Sequence, residues 1–161
     1  MPLTQNRLLQ VLHYHFDDGN FYWRISQGRR QAGDIAGNRR PDGYVYIKID
    51  KVLHRSSRLV WLYIYGRWPT EHIDHIDRNT SNDRLVNLRE ASRSQNLGNR
   101  KRNKNSTSGF KGVSRKGSRY IAYVNKDGKR HWLGSFSSAS EAHAAYIAAA
   151  ARLHGEFARA A

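Results

Sequence analysis

Apolar and aromatic positions in the first seventy residues follow the periods of short helices and strands. Leucines at helical spacing predict a short opening helix over residues 4–12. A second helix over residues 59–64, capped by Ser57 and ended by Gly66, is predicted by a run of Leu, Val and Ile. Aromatic and β-branched residues between turn signals predict three strands, over residues 21–23, 43–49 and 52–55. We expect these elements to form a small α/β platform without chemistry of its own.

The middle of the chain alternates apolar frame positions with polar residues. Two isoleucines predict a strand over residues 72–77, a polar loop follows over 78–83, and residues 87–89 predict the second strand of a hairpin. Ser92 followed by Gln95 is a capping-box pattern, so a helix is expected to begin there. That helix places three asparagines near one face, at the spacing i, i+3 and i+7: Asn96, Asn99 and Asn103.

The last third of the chain begins with a polar stretch and then returns to regular patterns. Residues 100–109 have no apolar periodicity and predict a linker. Ser138 and Glu141 form a second capping box before an alanine-rich helix that ends near Gly155. Between linker and helix, turn signals separate three predicted strands: 110–113, 120–125 and 129–136. Three strands followed by one helix predict a second small unit.

The net charge of the chain indicates that it binds a polyanion. The 161 residues include 28 Lys and Arg against 13 Asp and Glu, a formal charge of +15, which favours binding a nucleic acid. The excess is uneven, with net +5 over residues 1–96 and net +10 over residues 97–161. An anionic membrane is the rival partner, but no apolar run approaches the roughly 20 residues of a membrane span. No leader pattern opens the chain either, so we expect a soluble protein of the cytoplasm.

The absence of cysteine restricts the possible chemistry. Disulfides, thiolate catalysis and cysteine zinc sites are excluded, so any metal must be held by oxygen or imidazole ligands. Phosphodiester hydrolysis needs a hard cation, to neutralise charge on the phosphoryl group and the leaving oxygen, and a base to activate water. Asp74 and Asn96 offer oxygen atoms that suit Mg²⁺ or Mn²⁺. His75 offers a base because its ordinary pKa lies near neutrality.

Each of these residues also has an ordinary explanation when it is taken alone. His72 and His75 stand three residues apart and fit a chance pair of surface histidines. Asn99 is an alternative to Asn96 as the second metal ligand, or a contact to DNA phosphate. The polar residues of the central loop are interpreted as loop and turn formers: Asp77, Asn79, Asn82 and Asp83.

Taken together, the central residues resemble a known nuclease family. Asp74-His75, Asn87 and Asn96, framed by Ile73, Ile76 and Leu88-Arg89, resemble the HNH endonucleases of the ββα-metal fold. The branch in question is common among phage and intron-encoded homing endonucleases, and a host-cell cytoplasm would follow from that origin. Aromatic and glycine-rich runs upstream also resemble what precedes the motif in that branch. The resemblance covers most of residues 15–103.

The HNH resemblance implies a role for each matching position. Asp74 and Asn96 would bind one divalent metal ion together with the scissile phosphate, and His75 would be the general base. Asn87 would hold the loop and orient His75 by a hydrogen bond. The commonest form of the motif has histidines at its first and last positions. Asp74 and Asn96 stand there in this chain, so the expected ion is Mg²⁺ or Mn²⁺, and no structural zinc is expected.

A second resemblance covers about residues 108–158. The pattern is similar to the AP2 DNA-binding domain and is carried by these runs: Gly112-Val113, Tyr120-Ile121-Ala122, residues 129–136, Glu141-Ala142 and Ala144-Ala145-Tyr146. In that family a three-stranded sheet enters the major groove, and its exposed Arg and Trp side chains read bases. Ser114, Tyr120 and Asn125 depart from the usual residues at their positions, so the family's base preference does not carry over.

Contacts to DNA are expected from the basic stretch and from the sheet of the AP2-like unit. The stretch is either a solvated tether or a contact to phosphates, or both. Trp132 is open to a core role or a DNA role, whereas Phe136 is assigned to the core. The candidate DNA-binding residues are Arg100, Lys101, Arg102, Lys104, Arg115, Lys116, Arg119, Tyr120, Asn125, Arg130 and Trp132.

These patterns predict an α+β protein with two modules. An HNH nuclease module with its β-rich platform spans residues 1–103, a linker spans 104–108, and an AP2-like DNA-binding domain spans 109–161. The predicted function is that of a site-specific, divalent-metal-dependent endonuclease of homing type. It acts on double-stranded DNA as a monomer, with a dimer as the alternative. A non-catalytic DNA-binding regulator is the alternative function, and an RNA-binding protein explains the charge but neither motif.

Overall fold

The computed structural model describes residues 2–99 and 106–158, apart from the side chain of Leu97. Its architecture is α+β, as predicted, with small sheets and short helices. The chain divides into two compact units, Met1–Glu90 and Ala91–Ala161. Within the described ranges, no helix combines the length and the apolar character that crossing a membrane requires.

The first unit alternates short helices with two- and three-stranded sheets. Strand β1 pairs with β2, β4 pairs with both β3 and β5, and β6 pairs with β7. The elements in chain order are α1 (Gln5–Val11), β1 (Leu12–Tyr14), β2 (Phe21–Trp23), β3 (Asn38–Arg39), β4 (Val45–Ile49), β5 (Val52–Arg55), α2 (Ser56–Tyr65), β6 (His72–His75), a 3₁₀ turn (Leu85–Asn87) and β7 (Leu88–Ala91).

Local signals account for most of these boundaries. The Oγ1 of Thr4 accepts a hydrogen bond from the Arg7 N–H and caps α1. Helix α2 ends at Gly66, as predicted, but the predicted cap at Ser57 is wrong. Because β5 runs directly into α2, the cap position falls on Arg55, and Ser57 is buried in the first turn.

The core of the first unit joins the platform to the later strands. Side chains of α1, β1, β2, β4 and α2 pack together and enclose Leu88 at the start of β7. Tyr14 and Phe21 are among the largest fully buried side chains. The cluster consists of Leu8, Val11, Leu12, Tyr14, Phe21, Trp23, Ala36, Ile47, Ile49, Leu59, Val60, Leu62 and Leu88. Strand β7 therefore depends on burial supplied by side chains from residues 8–62.

The predicted hairpin of residues 72–89 forms with two corrections. The first strand ends at His75 rather than Asp77, and the second strand begins at Leu88 rather than Asn87. Residues Leu85–Asn87 form a 3₁₀ turn, closed by hydrogen bonds from the Asn87 N–H to Arg84 O and from the Leu88 N–H to Leu85 O. The 3₁₀ backbone of Leu85–Asn87 keeps Asn87 out of the extended strand, which therefore begins at Leu88.

The second unit contains one helix, a three-stranded antiparallel sheet and a longer helix among its described residues. These are α3 (Arg93–Asn99), β8 (Val113–Lys116), β9 (Arg119–Lys126), β10 (Lys129–Phe136), α4 (Ala139–His154) and a 3₁₀ turn (Gly155–Phe157). The order across the sheet is β10-β9-β8. The first capping box is confirmed, because Ser92 and Gln95 bond reciprocally. At the second, Ser138 Oγ accepts from the Glu141 N–H and caps α4, but the Glu141 carboxylate accepts from Ser137 Oγ, so only half of the predicted box forms.

Helix α4 packs on one face of the sheet through small residues. Ala142, Ala149 and Ala150 are buried there, together with Tyr146. The predicted first strand, 110–113, is wrong in position because the strand starts only at Val113. Gly112 has φ +71°, which interrupts the extended backbone, and a Cβ on it would lie 2.0 Å from Cδ2 of Tyr146. Glycine at this position lets the chain pass close to the helix.

Candidate functional site

Strand β6 delivers the Asp-His pair into the interior of the first unit. Burial along His72–His75 increases from exposed His72 to buried Asp74 and His75. Adjacent residues on a strand point to opposite sides, so the two side chains meet different neighbours. The chemical environments of Asp74 and His75 therefore differ.

Asp74 is paired with a guanidinium from the adjacent strand. Both Nε and Nη2 of Arg89, on β7, donate to Oδ2 of Asp74, at 3.1 Å and 3.0 Å. The side chains are 6% and 14% exposed, so the pair is nearly dehydrated and the carboxylate charge needs this compensation. Sequence reasoning treated Arg89 only as part of the strand frame.

His75 has a buried carboxylate partner from the polar loop. Its Nε2 lies 2.8 Å from Oδ1 of Asp83, and each side chain is 3% exposed. The ring of Tyr44 flanks the imidazole at 5.9 Å between centroids, and the guanidinium of Arg55 lies 4.2 Å from the Tyr44 ring centre. The imidazole is thus held from its edge by Asp83 and from its side by Tyr44.

Asn87 organises the loop between the two strands. Its Oδ1 accepts from the Asp77 N–H, and its Nδ2 donates to Asp77 Oδ1 and to Asn82 O, all at 2.8–2.9 Å. Burial opposes ionisation of Asp77, but hydrogen bonds from Asn82, Asn79 and Asn87 outweigh it and lower the pKa of Asp77. These bonds hold the loop, as predicted for Asn87, and Asp83 also bonds to His75.

The asparagines of α3 belong to the second unit. Asn96 and Asn99 are both half-buried, and the Asn96 N–H donates to Ser92 O in the first turn. Across the part of the chain that the structure describes, no group of three or more His, Cys, Asp and Glu side chains is arranged to hold a metal ion. The predicted ligands are one carboxylate, Asp74 in the first unit, and one amide, Asn96 in the second unit. Five residues that the sequence analysis names lie outside the described residues: Arg100, Lys101, Arg102, Asn103 and Lys104.

One face of the β8–β10 sheet gathers five of the seven candidate DNA-binding residues that the structure describes. Cross-strand partners share a face, and Arg130 lies opposite Asn125 while Lys116 lies opposite Arg119. Trp132 alternates onto the same side as Arg130 and is 69% exposed. We call this surface the open sheet face; its members are Lys116, Arg119, Asn125, Arg130 and Trp132. Helix α4 packs on the other side, over Ala122 and Val124.

Arg115 and Tyr120 are not on the open sheet face. They lie opposite each other in the ladder, on the side of the sheet that α4 covers. Tyr120 packs against the buried cluster of Val113, Ala122 and Ala142, beside Phe136. The ring of Tyr120 therefore serves the core, and Phe136 packs there as predicted.

Comparison with known proteins assigns a family to this arrangement. Residues 54–97 match the model of the HNH endonuclease family, a span that includes Asp74, His75, Asn87 and Asn96. Protein 3.8 of Escherichia phage T7 is similar to this chain, with 40% identity over 105 residues, which cover 62% of the chain and 84% of the phage protein. The chain carries an HNH endonuclease domain and belongs to the same family as this phage protein. No solved structure gives a significant match.

The family assignment supports the coarser predictions. The predicted HNH resemblance is confirmed over residues 54–97 by this match. An HNH domain in turn indicates nuclease activity on DNA. The AP2 resemblance, the homing type and the identity of the ion stay predictions.

Sequence reasoning missed two partners within the HNH domain. The sequence pattern predicts a loop former at Asp83 and a strand-frame residue at Arg89, whereas in the structure Asp83 bonds to His75 and Arg89 bonds to Asp74. A signal was present: a carboxylate at the end of the loop and a cation on the second strand both belong to the hairpin that carries the Asp-His pair.

Proposed function

We propose that this protein is a divalent-metal-dependent, site-specific DNA endonuclease of homing type. One observation carries the proposal: within the HNH domain, two buried side chains each have a polar partner. Arg89 pairs with Asp74, and Asp83 pairs with His75. Fixed geometry of this kind is what a hydrolytic site requires. Exposed Asp and His side chains without a function would not require two partners that are themselves nearly buried.

His75 takes the proton of the attacking water in this proposal. An imidazole can accept a proton near neutral pH, and its burial against Asp83 keeps it in one orientation. Asn87 keeps the loop closed around it through Asp77 and Asn82. Cleavage then breaks the bond between phosphorus and the 3′ oxygen, while the water oxygen bonds to phosphorus.

The chemistry of the donor atoms fits Mg²⁺ or Mn²⁺. Asp74 offers a carboxylate whose charge Arg89 partly compensates, and Asn96 offers an amide oxygen, both hard donors. When bound, a divalent cation supplies stabilisation of the charge that develops on the phosphate and the leaving oxygen. The same guanidinium of Arg89 is a suitable neighbour for a DNA phosphate.

The second unit supplies DNA affinity in this proposal. Three cations, an amide and an exposed indole share the open sheet face. Cations contact phosphates without regard to sequence, whereas the amide of Asn125 and the guanidinium of Arg130 can read base edges. The AP2-like interpretation of this unit rests on that face and on the sequence pattern.

Cleavage of supercoiled plasmid and genomic DNA tests the proposal. The purified chain is incubated with EDTA, Mg²⁺, Mn²⁺ or Zn²⁺, beside the variants His75→Ala and His72→Ala. His72 is the matched control because it lies on the same strand but is exposed. We expect discrete products with Mg²⁺ or Mn²⁺, kept in His72→Ala and lost in His75→Ala, with duplex binding in gel shifts unchanged in both variants.

The opposite results are equally informative. Full activity of His75→Ala, or cleavage in EDTA, would refute the mechanism. Tight duplex binding without cleavage under any metal would favour the non-catalytic regulator. Equal binding of duplex, single strands and RNA would count against the proposed DNA partner.

A further inference from the structure

The contact between His75 and Asp83 determines which ring nitrogen carries the proton. Nε2 of His75 lies 2.8 Å from Oδ1 of Asp83, and both side chains are almost entirely removed from water. A carboxylate only accepts hydrogen bonds, so the neutral imidazole must donate from Nε2. Nδ1 is then the nitrogen with the lone pair. Asp83 thereby selects one tautomer of His75 as well as its orientation.

Asp83 is held in turn by the N-terminal hairpin of β1 and β2. The hydroxyl of Tyr14, at the end of β1, donates to Asp83 O and accepts from the Leu85 N–H, both at 2.9 Å. Tyr14 is fully buried, and burial raises its pKa to about 12, so its hydroxyl keeps the proton that it donates. One side chain therefore fixes the backbone on both sides of residue 84.

The turn of the same hairpin lies directly on this backbone. A Cβ on Gly19 would lie 2.5 Å from Arg84 N and 2.8 Å from the carbonyl carbon of Asp83, so the turn and the loop touch main chain to main chain. Arg84 Nε also donates to Asp17 O. The hairpin and the loop are thus joined through Tyr14, through Arg84 and through close backbone packing.

We propose that Asp83 is the positioning residue for His75, and that Tyr14 in the N-terminal hairpin holds Asp83 in place. The inference rests on the proposed function of His75 as the base. It assigns a part in the reaction to the first 23 residues, which the sequence patterns suggested to be a passive platform. Neither Asp83 nor Tyr14 contacts the reacting atoms in this proposal; both act through the imidazole.

Nitrogen NMR of the histidine rings tests the tautomer without any nuclease assay. The full chain, labelled with ¹⁵N, is recorded over a series of increasing pH values, and the tautomer is read where the ring signals of His75 no longer change. We expect His75 in wild type to show a protonated Nε2 and an unprotonated Nδ1. In Asp83→Asn the ring should become a mixture of tautomers, and in Tyr14→Phe its signals should broaden or shift.

Matched controls separate positioning from general loss of structure. Asp50→Asn removes a carboxylate that forms an exposed ion pair with Arg7, and Tyr22→Phe removes a hydroxyl of the same hairpin that bonds to Asp18. We expect the wild-type tautomer of His75 in both. A protonated Nδ1 in wild type would overturn the proposal, as would an unchanged ring in both Asp83→Asn and Tyr14→Phe.

Kinetics on a cleavable duplex give the second measurement. We expect Asp83→Asn to lower kcat by about 100-fold and Tyr14→Phe by about 10-fold, because general-base catalysis contributes about 10²–10⁴-fold in all. KM should stay within about twofold, since neither residue belongs to the proposed DNA surface. A rise in KM with kcat unchanged would refute the positioning role. A wild type with the expected tautomer but no cleavage would refute the proposed function and leave the orientation of His75 by Asp83 standing.

Discussion

Arg89 compensates the charge of a carboxylate that has almost no access to water. Two of its N–H groups converge on Oδ2 of Asp74. Arg89→Met keeps much of the apolar stem but removes this partner, and breaking a buried pair from one side costs roughly 3 kcal/mol. We expect the free energy of unfolding, measured by urea titration, to fall by about that amount.

Two further variants identify the cause of that loss. The double variant Asp74→Asn with Arg89→Met removes both charges and should be more stable than Arg89→Met alone. Arg67→Met breaks a pair with Glu90 in which the arginine is half exposed, so it should cost about 1 kcal/mol or less. A double variant less stable than Arg89→Met would contradict the electrostatic explanation.

Glu90 gives the stability of the first unit a dependence on pH. The pKa of Glu90 is lowered to about 2, chiefly by the hydrogen bonds from Arg67. The hydrogen bond from the Thr70 N–H also lowers this pKa, whereas burial of the carboxylate raises it. A depressed pKa contributes stability above the unfolded value, about 4.3, and loses it as the pH falls toward 2. We expect the stability difference between wild type and Glu90→Gln to be greatest above pH 5 and to shrink by pH 2. A difference that is constant with pH would contradict this.

Residues whose partners lie close in sequence were predictable, and residues with distant partners were not. Ser92 and Gln95 stand three positions apart, and their reciprocal bonds follow from the pattern. Tyr14 bonds to residues about seventy positions later, which no local pattern encodes. The candidate site was found by its motif, but the groups that hold it depend on the tertiary fold.

At the scale of elements, Gly112 controls how closely β8 approaches α4. Gly112 and Gly117 have similar backbone angles, φ +71° and +59°, but only Gly112 faces a neighbour, the ring of Tyr146. Alanine at Gly117 should cost about 1 kcal/mol of conformational strain. Alanine at Gly112 adds a severe overlap, so we expect a loss of about 3 kcal/mol or more in thermal or urea unfolding. Equal effects at the two positions would show that the contact with Tyr146 is unimportant.

The elements that sequence patterns located best are those bounded by strong local signals. The two residues of the β4–β5 turn, Asp50 and Lys51, both have positive φ, as a tight hairpin requires, and the strands on either side were predicted. The strand β1 was missed because its three residues follow α1 without a turn signal. Its pairing with β2 depends on burial of Leu12 and Tyr14, which is a tertiary effect.

At the scale of the whole molecule, a charge of +15 makes DNA affinity depend on salt. The logarithm of the binding constant should fall linearly with the logarithm of salt concentration. We expect Arg130→Ala and Lys116→Ala each to reduce the magnitude of that slope by about 1, because each removes one cation from the proposed DNA-binding face. Asn125→Ala is the neutral control on the same open sheet face and should weaken binding without changing the slope. If neither Arg130→Ala nor Lys116→Ala changes the slope, DNA binds a surface other than the open sheet face.

The burial of Leu88 among side chains from residues 8–62 limits which segments of the chain can fold alone. Leu59, Val60 and Leu62 lie inside the segment that matches the HNH model, but they pack against Leu8 and Phe21, which lie outside it. A peptide comprising residues 54–97 alone would expose that apolar surface to water and lose Tyr14 as well. We therefore expect the matched segment to be a sequence signature without independent folding, and transplanting the nuclease into another protein to require the chain from its N-terminal helix onward.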